Sequence, residues 1–236
     1  MCIRDRNVVL RRKNKERSVY ELTDKEENVK FETIVFESFG GKNYSDSPKY
    51  IYEYMQKYYP NYRYVWSLKN PDKSVVPGNA IKVKRGSTEY YQAYSEASYW
   101  VSNARTPLYL NKKDNQTYIQ TWHGTPLKRL ANDMKVVRMP GTTTARYKRN
   151  FNLETTRWDY LISPNRYSSE IFRSAFWMDE HRILEIGYPR NDVLVNRASD
   201  KNYINEIKKN LNLSSDKKVI TYAPTWRDDE FVSKGK

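Results

Sequence analysis

Short apolar runs of four or five residues alternate along the chain with longer, more polar stretches. Because such alternation is typical of a parallel sheet covered by helices on both faces, the pattern predicts an α/β fold. The predicted strands are residues 33–36, 64–68, 80–84, 99–102, 118–122, 160–163, 183–186 and 219–222. The predicted helices are residues 46–55, 87–97, 167–176 and 201–211, the first opening on Asp46-Ser47-Pro48 as cap and first turn.

The strand predicted over residues 118–122 stops at His123, one of only two histidines in the chain. Ligands of open α/β sheets bind in the crevice beyond the carboxyl ends of the strands. Imidazole is the side chain best suited to move a proton near neutral pH. His123 is therefore a candidate general base. The alternative is a loop histidine that bonds to a neighbouring carbonyl.

The residues after His123 are consistent with an adjacent phosphate site. Gly124 would let a substrate approach the backbone closely, and Thr125 follows it as a second candidate for phosphate binding. Pro126 suits the first turn of a helix that the sequence predicts over residues 127–130. A helix N-terminus at that position would favour an anion in the crevice.

The charge of the chain points to polyanionic partners. The formal net charge is +14 over 236 residues, and residues 128–157 contain eight Lys or Arg against two acidic residues. Apolar residues interrupt this basic segment and could anchor it in a membrane interface, namely Met134, Val136, Val137, Met139, Tyr147 and Phe151. A solvated basic loop and helix is the alternative, and nucleic acid ranks below both because no basic-aromatic motif gathers the tyrosines.

The polar composition excludes several other classes of protein. The chain is 30% charged with a mean hydropathy of -0.94, and its apolar runs fall well short of the roughly 20 residues needed to cross a bilayer. No signal peptide opens it, so we expect a cytoplasmic protein. One cysteine excludes an internal disulfide, and one cysteine with two histidines cannot form the usual four-ligand zinc site.

Four segments, in order, resemble the motifs of one known family. QTWHGTPLKRL at residues 120–130 is similar to the signature of the CDP-glycerol glycerophosphotransferases, the teichoic acid polymerases and primases of Gram-positive envelopes. ESFGGKNYSDSP at 37–48, GYPRND at 187–192 and YAPTWRD at 222–228 resemble further motifs of that family. Four long motifs in sequence are far more specific than one short pattern.

The resemblance implies a GT-B fold, with two Rossmann-like domains facing across a cleft and the nucleotide held mainly by the second. We expect a non-native leader at residues 1–6, a charged segment of uncertain structure at 7–31, an acceptor-side first domain at 32–213 and a truncated second domain from 214 to 236. The family's second functional histidine and its Ser-rich phosphate segment have no match here, and His181 is predicted to lie on the surface. The isolated chain should therefore be inactive and bind CDP-glycerol poorly.

The resemblance also implies a reaction, the transfer of glycerol phosphate from CDP-glycerol to a hydroxyl of a lipid-linked acceptor, with CMP leaving. His123 would be the base, and Asp192 would either cap the following helix or orient His123. Arg190 and Arg227 would stabilise charge on the transferring group. Asn191 and Thr225 complete the predicted phosphate-binding residues, Thr225 with a helix cap as its alternative role.

No cofactor or metal site is expected, and Asp228 and Asp229 are predicted to be solvated, although a divalent-metal requirement stays open. The predicted partners are CDP-glycerol, a lipid-linked polyol-phosphate acceptor and an anionic membrane surface contacted by Arg146, Lys148 and Arg149, with no nucleic acid. The protein would then be peripheral on the inner face of the cell membrane. Alternatives are a ribitol-phosphate transferase, a teichoic acid primase, or a non-catalytic basic module that binds membrane or nucleic acid.

Overall fold

A computed structural model describes residues 17–18, 29–139 and 141–223 of the chain. Its central feature is one sheet of seven strands that all run parallel. In chain order the strands are β1 Lys30–Glu37, β2 Arg63–Leu68, β3 Ile81–Lys84, β4 Ala97–Ser102, β5 Thr117–Gln120, β6 Tyr160–Ser163 and β7 Ile183–Glu185. Their spatial order is β3-β2-β1-β4-β5-β6-β7, so the connections reverse direction between β1 and β4.

Helices connect most of the strands. They are α1 Asp46–Tyr58, α2 Thr88–Glu96, α3 Thr144–Thr155, α4 Arg166–Phe176, α5 Asp192–Asn196 and α6 Lys201–Asn210. Single 3-10 turns lie at Pro71–Lys73, Ala131–Asp133, Glu180–Arg182 and Pro189–Asn191. None of the described helices is both long and apolar enough to cross a membrane.

Both faces of the sheet are buried, as expected for a parallel sheet covered by helices. Because successive strand residues point to opposite faces, Val35 and Trp100 belong to one hydrophobic cluster while Phe36 and Val101 belong to the other. Many of the 21 tyrosines are core residues, and five of them are almost completely buried: Tyr52, Tyr64, Tyr90, Tyr94 and Tyr118. They are therefore not available to stack on bases.

Most of the predicted elements are confirmed, with ends that differ by a few residues. The strand predicted over 219–222 is wrong. Val219, Ile220 and Tyr222 are exposed there, and no described strand pairs with them. A strand needs hydrogen-bonded neighbours, so an apolar run alone does not form one.

The helix predicted over 127–130 is also wrong, because these residues form an irregular segment before the Ala131–Asp133 turn. Leu127 is 87% exposed there and only Leu130 packs against the core, so little apolar surface is buried to stabilise a helix. Helix α3, in contrast, was not predicted. Its sequence has few apolar positions, although Phe151 is buried in the core.

Candidate functional site

Three loops meet at the carboxyl edge of the sheet, where the strand order reverses. They follow β1, β4 and β5, which are adjacent in the sheet. In sheets of this kind the crevice between diverging connections is where ligands bind. His123, three residues after the end of β5, lies in this region.

The imidazole of His123 is fixed by the loop after β4. Its Nδ1 lies 2.6 Å from the main-chain oxygen of Asn103, the first residue after β4. A carbonyl oxygen can only accept, so Nδ1 carries the proton and the neutral ring has its lone pair at Nε2. His123 is exposed. The contact is therefore compatible both with a base that acts through Nε2 and with the alternative of a carbonyl-bonded loop histidine.

Two aromatic rings contact the same histidine. The Trp122 ring stacks on His123 with centroids 4.5 Å apart, and the Phe39 ring lies 5.9 Å away. Trp122 adopts a left-handed backbone conformation (φ 52°) and is buried against Phe176. This departure from strand geometry ends β5 and places His123 outside the sheet while the neighbouring indole anchors it to the core.

Asn103 joins the loop after β1 to His123. Its side chain is fully buried, and its Oδ1 accepts a hydrogen bond from the Phe39 main-chain N–H at 2.8 Å. Sequence reasoning missed Asn103, and the only available signal was a polar residue directly after a predicted strand. The sequence suggests Asp192 as a residue that could orient His123. In the structure the main-chain oxygen of Asn103 makes the contact to Nδ1.

Arg190 connects the GYPRND segment to two of the other three motifs, ESFGGKNYSDSP and QTWHGTPLKRL. Its Nη1 donates to Oδ2 of Asp46 at 2.6 Å and to the main-chain oxygen of His123 at 2.8 Å. Its guanidinium also lies over the Tyr188 ring, 4.6 Å from the centroid. Burial raises the pKa of the Tyr188 hydroxyl to about 12. The predicted base and the predicted phosphate-binding arginine are thus brought together.

The remaining predicted residues are less constrained by the structure. Gly124 has open space where a side chain would be, and Thr125 is exposed, so both lie free beside His123. The anion-binding helix N-terminus predicted beyond Pro126 does not exist, because residues 127–130 are not helical. Thr225 and Arg227, like Asp228 and Asp229, lie outside the described residues.

Asp192 and Asn191 lie at the start of the short helix α5 and are both exposed. Asp192 is in the first turn, where a carboxylate is favoured by the helix dipole. Its assignment to the reaction and that of Asn191 to phosphate binding stay predictions.

The basic segment at 128–157 is only partly a free surface. Val137 and Phe151 are buried in the protein core, so they are not available as membrane anchors. Lys148 donates to the Asn132 main-chain oxygen at 2.7 Å. Arg146 and Arg149 are exposed, and the apolar side chains still exposed in or beside this segment are Leu127, Val136, Met139 and Leu153.

A doubly wound parallel sheet with a fixed histidine and an arginine at its carboxyl edge defines a Rossmann-like domain. The chain belongs to the CDP-glycerol:poly(glycerophosphate) glycerophosphotransferase family, whose profile matches residues 19–236. This match confirms the family that the four motifs predicted.

Similar proteins agree with this assignment. The chain is 86% identical over 231 residues to the teichoic acid poly(glycerol phosphate) polymerase of Staphylococcus epidermidis, covering 98% of this chain and 32% of that protein. It is 51% identical over 209 residues to the corresponding polymerase of Bacillus subtilis, covering 88% and 28%. It therefore spans about a third of these relatives.

Solved structures of the wall teichoic acid polymerase TagF match with a TM-score of 0.91 at 86% identity, over 97% of this chain and 56% of that one. A second TagF structure, of a variant soaked with CDPG, matches with a TM-score of 0.92 over 98% and 56%. The likeness confirms the predicted α/β fold of GT-B type. The division into domains stays a prediction.

Proposed function

We propose that this chain contributes the base and one phosphate-binding arginine to the transfer of glycerol phosphate from CDP-glycerol to a hydroxyl of a lipid-linked teichoic acid acceptor. Membership of the family and the names of the relatives support this activity. The observation that carries it is the contact between His123 and Asn103 at the switch point of the sheet. This contact leaves Nε2 as the proton acceptor of an exposed imidazole.

The acceptor hydroxyl oxygen attacks the phosphorus that bears glycerol. Its proton passes to Nε2 of His123, a P–O bond forms, and the bond from that phosphorus to the bridging oxygen of the CMP group breaks. CMP leaves with the electron pair of that bond. Charge spreads over the oxygens of the transferring group, so fixed N–H donors stabilise the transition state.

Arg190 is the described residue best placed to be such a donor. Nη1 is occupied by Asp46 and by the His123 carbonyl, whereas Nε and Nη2 have no hydrogen-bond partner among the described residues. The arginine is therefore fixed at one nitrogen and open at the others. Thr225 and Arg227, outside the described residues, remain candidates for the same group of phosphate contacts.

The comparisons favour a poly(glycerol phosphate) polymerase over the two alternatives, a ribitol-phosphate transferase and a primase. Poly(glycerol phosphate) polymerases match at 86% and 51% identity over most of this chain, whereas a ribitol-phosphate primase matches at 25% and a glycerol-phosphate primase at 30% over 121 residues. The ordering supports a polymerase that uses CDP-glycerol.

The acceptor's lipid implies that the protein works at a membrane surface as a peripheral protein. The exposed guanidinium groups of Arg146 and Arg149 on α3 support contact with anionic headgroups. We assign no role to nucleic acid, because many of the tyrosines that could stack on bases are buried. Within residues 17–18, 29–139 and 141–223, no three His, Cys, Asp or Glu side chains cluster to hold a metal ion. The proposal includes no metal or cofactor.

The direct test measures CMP release from CDP-glycerol and from CDP-ribitol, each with and without a lipid-linked glycerol phosphate acceptor. The enzyme is a full-length polymerase of the family that has this sequence in the matching region. Acceptor-dependent CMP release from CDP-glycerol is the expected result. Release from CDP-ribitol alone, or none from either donor, would contradict the proposal.

A further inference from the structure

Asp46 has an unusual backbone conformation for a residue with a side chain. It opens α1 with a φ of 60°, in the left-handed region that costs most residues free energy. Asp and Asn tolerate this region best, because their short polar side chains bond to nearby backbone groups. The Oδ1 of Asp46 does so, accepting from the Ser47 N–H at 2.6 Å.

The other carboxylate oxygen of Asp46 contacts a residue 144 positions away. Oδ2 accepts from Nη1 of Arg190 at 2.6 Å, and the Asp46 side chain is 8% exposed against 26% for Arg190. The second hydrogen of Nη1 points to the His123 main-chain oxygen, 2.8 Å away. One guanidinium nitrogen therefore joins α1, the loop after β5 and the turn after β7.

Two simpler roles for Asp46 do not account for this geometry. A carboxylate in the first turn of a helix is favoured by the helix dipole, but that role requires neither a left-handed backbone nor a distant arginine. An ion pair with a partly exposed arginine usually contributes little to stability. Local backbone strain that is retained in a folded protein is often found at functional sites.

We propose that Asp46 is a positioning residue that fixes the orientation of the Arg190 guanidinium. Because Nη1 is held at two points, the planar group cannot rotate, and its open edge, Nε and Nη2, keeps one orientation next to His123. A donor that is already oriented loses less freedom when it binds a phosphoryl group. This role in catalysis rests on the proposed function, whereas the effect on Arg190 does not.

Two substitutions separate the charge from the backbone. Asp46→Asn keeps the size, tolerates the left-handed conformation and retains an oxygen for Ser47 N–H, but it turns an amide N–H donor toward Arg190. Asp46→Gly keeps the backbone conformation and removes both contacts, so it serves as a second variant if Asp46→Asn unfolds. Glu170→Gln is the control, since Glu170 pairs with Arg166 at 3.0 Å on the exposed face of α4.

In a full-length family polymerase with this sequence, Asp46→Asn should lower kcat/KM for CDP-glycerol about tenfold or more, the scale expected when a binding group is misplaced. Glu170→Gln should leave it unchanged. In an Arg190→Ala background the same Asp46→Asn change should cost less than about twofold, because contacting residues are not additive. An unchanged kcat/KM, or an equal loss in both backgrounds, would overturn the proposal.

A second measurement does not depend on transferase activity. In the 236-residue chain, nitrogen-15 NMR should resolve separate Nη1 and Nη2 signals for Arg190, and Asp46→Asn should merge them as rotation about the Nε–Cζ bond becomes fast. If the parent polymerase shows no glycerol phosphate transfer, the proposed function fails and this measurement alone decides the role of Asp46. Merged signals in the unchanged chain would show that Asp46 does not fix Arg190.

Discussion

The Nδ1 atom of His123 lies 2.6 Å from the main-chain oxygen of Asn103, a residue 20 positions earlier at the end of the neighbouring strand. This contact selects the tautomer that can act as a base, because it assigns the proton to Nδ1 and the lone pair to Nε2. The hydrogen-bond acceptor is a main-chain oxygen, so the choice of tautomer depends on the path of the loop after β4. The Asn103 side chain fixes that path through Phe39 N–H.

The first prediction is that His123→Ala, in a full-length polymerase with this sequence, lowers kcat by at least about two orders of magnitude, the usual contribution of a general base. His181 provides a matched control, since it is exposed in the Glu180–Arg182 turn. His181→Ala should retain the parental rate of CMP release. If His123→Ala remains within a few-fold of the parent while both proteins stay folded, His123 is not the base.

A second prediction concerns Glu154, a buried carboxylate on α3. Its Oε1 accepts from Thr106 N–H at 2.8 Å and is 3.2 Å from the Tyr118 hydroxyl, while its Oε2 pairs with Arg157. Removing Glu154 leaves the largely buried guanidinium of Arg157 without its counter-charge. Glu154→Ala should therefore lower the free energy of unfolding by about 3–5 kcal/mol.

Urea denaturation of the 236-residue chain measures this loss. The double change Glu154→Leu with Arg157→Leu is the informative comparison, because it removes both charges together and should cost less than Glu154→Ala. Loss of less than about 1 kcal/mol in Glu154→Ala would mean that the network around Thr106 contributes little to the fold.

The strands of the sheet could be predicted from the sequence because a buried parallel strand is a largely apolar run, as in β2 and β6. The position of His123 followed from the end of such a run. Asn103 and Asp46 were not accessible, because their contacts join residues 20 and 144 positions apart and no local pattern records them. The helix predicted over 127–130 is wrong because a local sequence pattern after Pro126 does not form a helix when most of its side chains stay exposed.

The third prediction is a pH dependence of stability from Glu96, at the end of α2. Burial raises the pKa of this carboxyl, but hydrogen bonds from Lys30, Gln92 and Arg63 more than offset it, so the pKa lies below its usual value of 4.5. A depressed folded-state pKa contributes stability above the unfolded value, and that stability is lost as the pH falls through the folded value. Glu96→Gln should thus be less stable than the parent at pH 7.

The difference should be about 1 kcal/mol, since Lys30 and Arg63 are themselves partly exposed and solvent screens them. It should shrink below pH 4.5 as the parent carboxyl becomes protonated. Thermal unfolding of both proteins between pH 3 and pH 7 provides the measurement. A stability difference that stays constant across this range would show that the ion pairs do not contribute through charge.

The last prediction concerns the membrane. Arg146 and Arg149 are exposed on α3, whereas Lys148 is engaged with Asn132, so of these three residues the two arginines are free to contact headgroups. Each basic residue near an anionic leaflet contributes about 1 kcal/mol. Arg146→Gln with Arg149→Gln should therefore weaken binding to anionic vesicles by about 2 kcal/mol at low salt, and added salt should reduce the difference.

Co-sedimentation with neutral and anionic vesicles tests this surface, and the triple variant that also changes Lys148 should lose little more binding than the double one. Lys201→Gln with Lys209→Gln is the charge-matched control, because both lysines are exposed on α6. If the control weakens binding as much as the double variant, only the net charge matters. If all variants bind as the parent does, the membrane contact lies outside α3. The basic side chains of α3 are then solvated or face the teichoic acid acceptor.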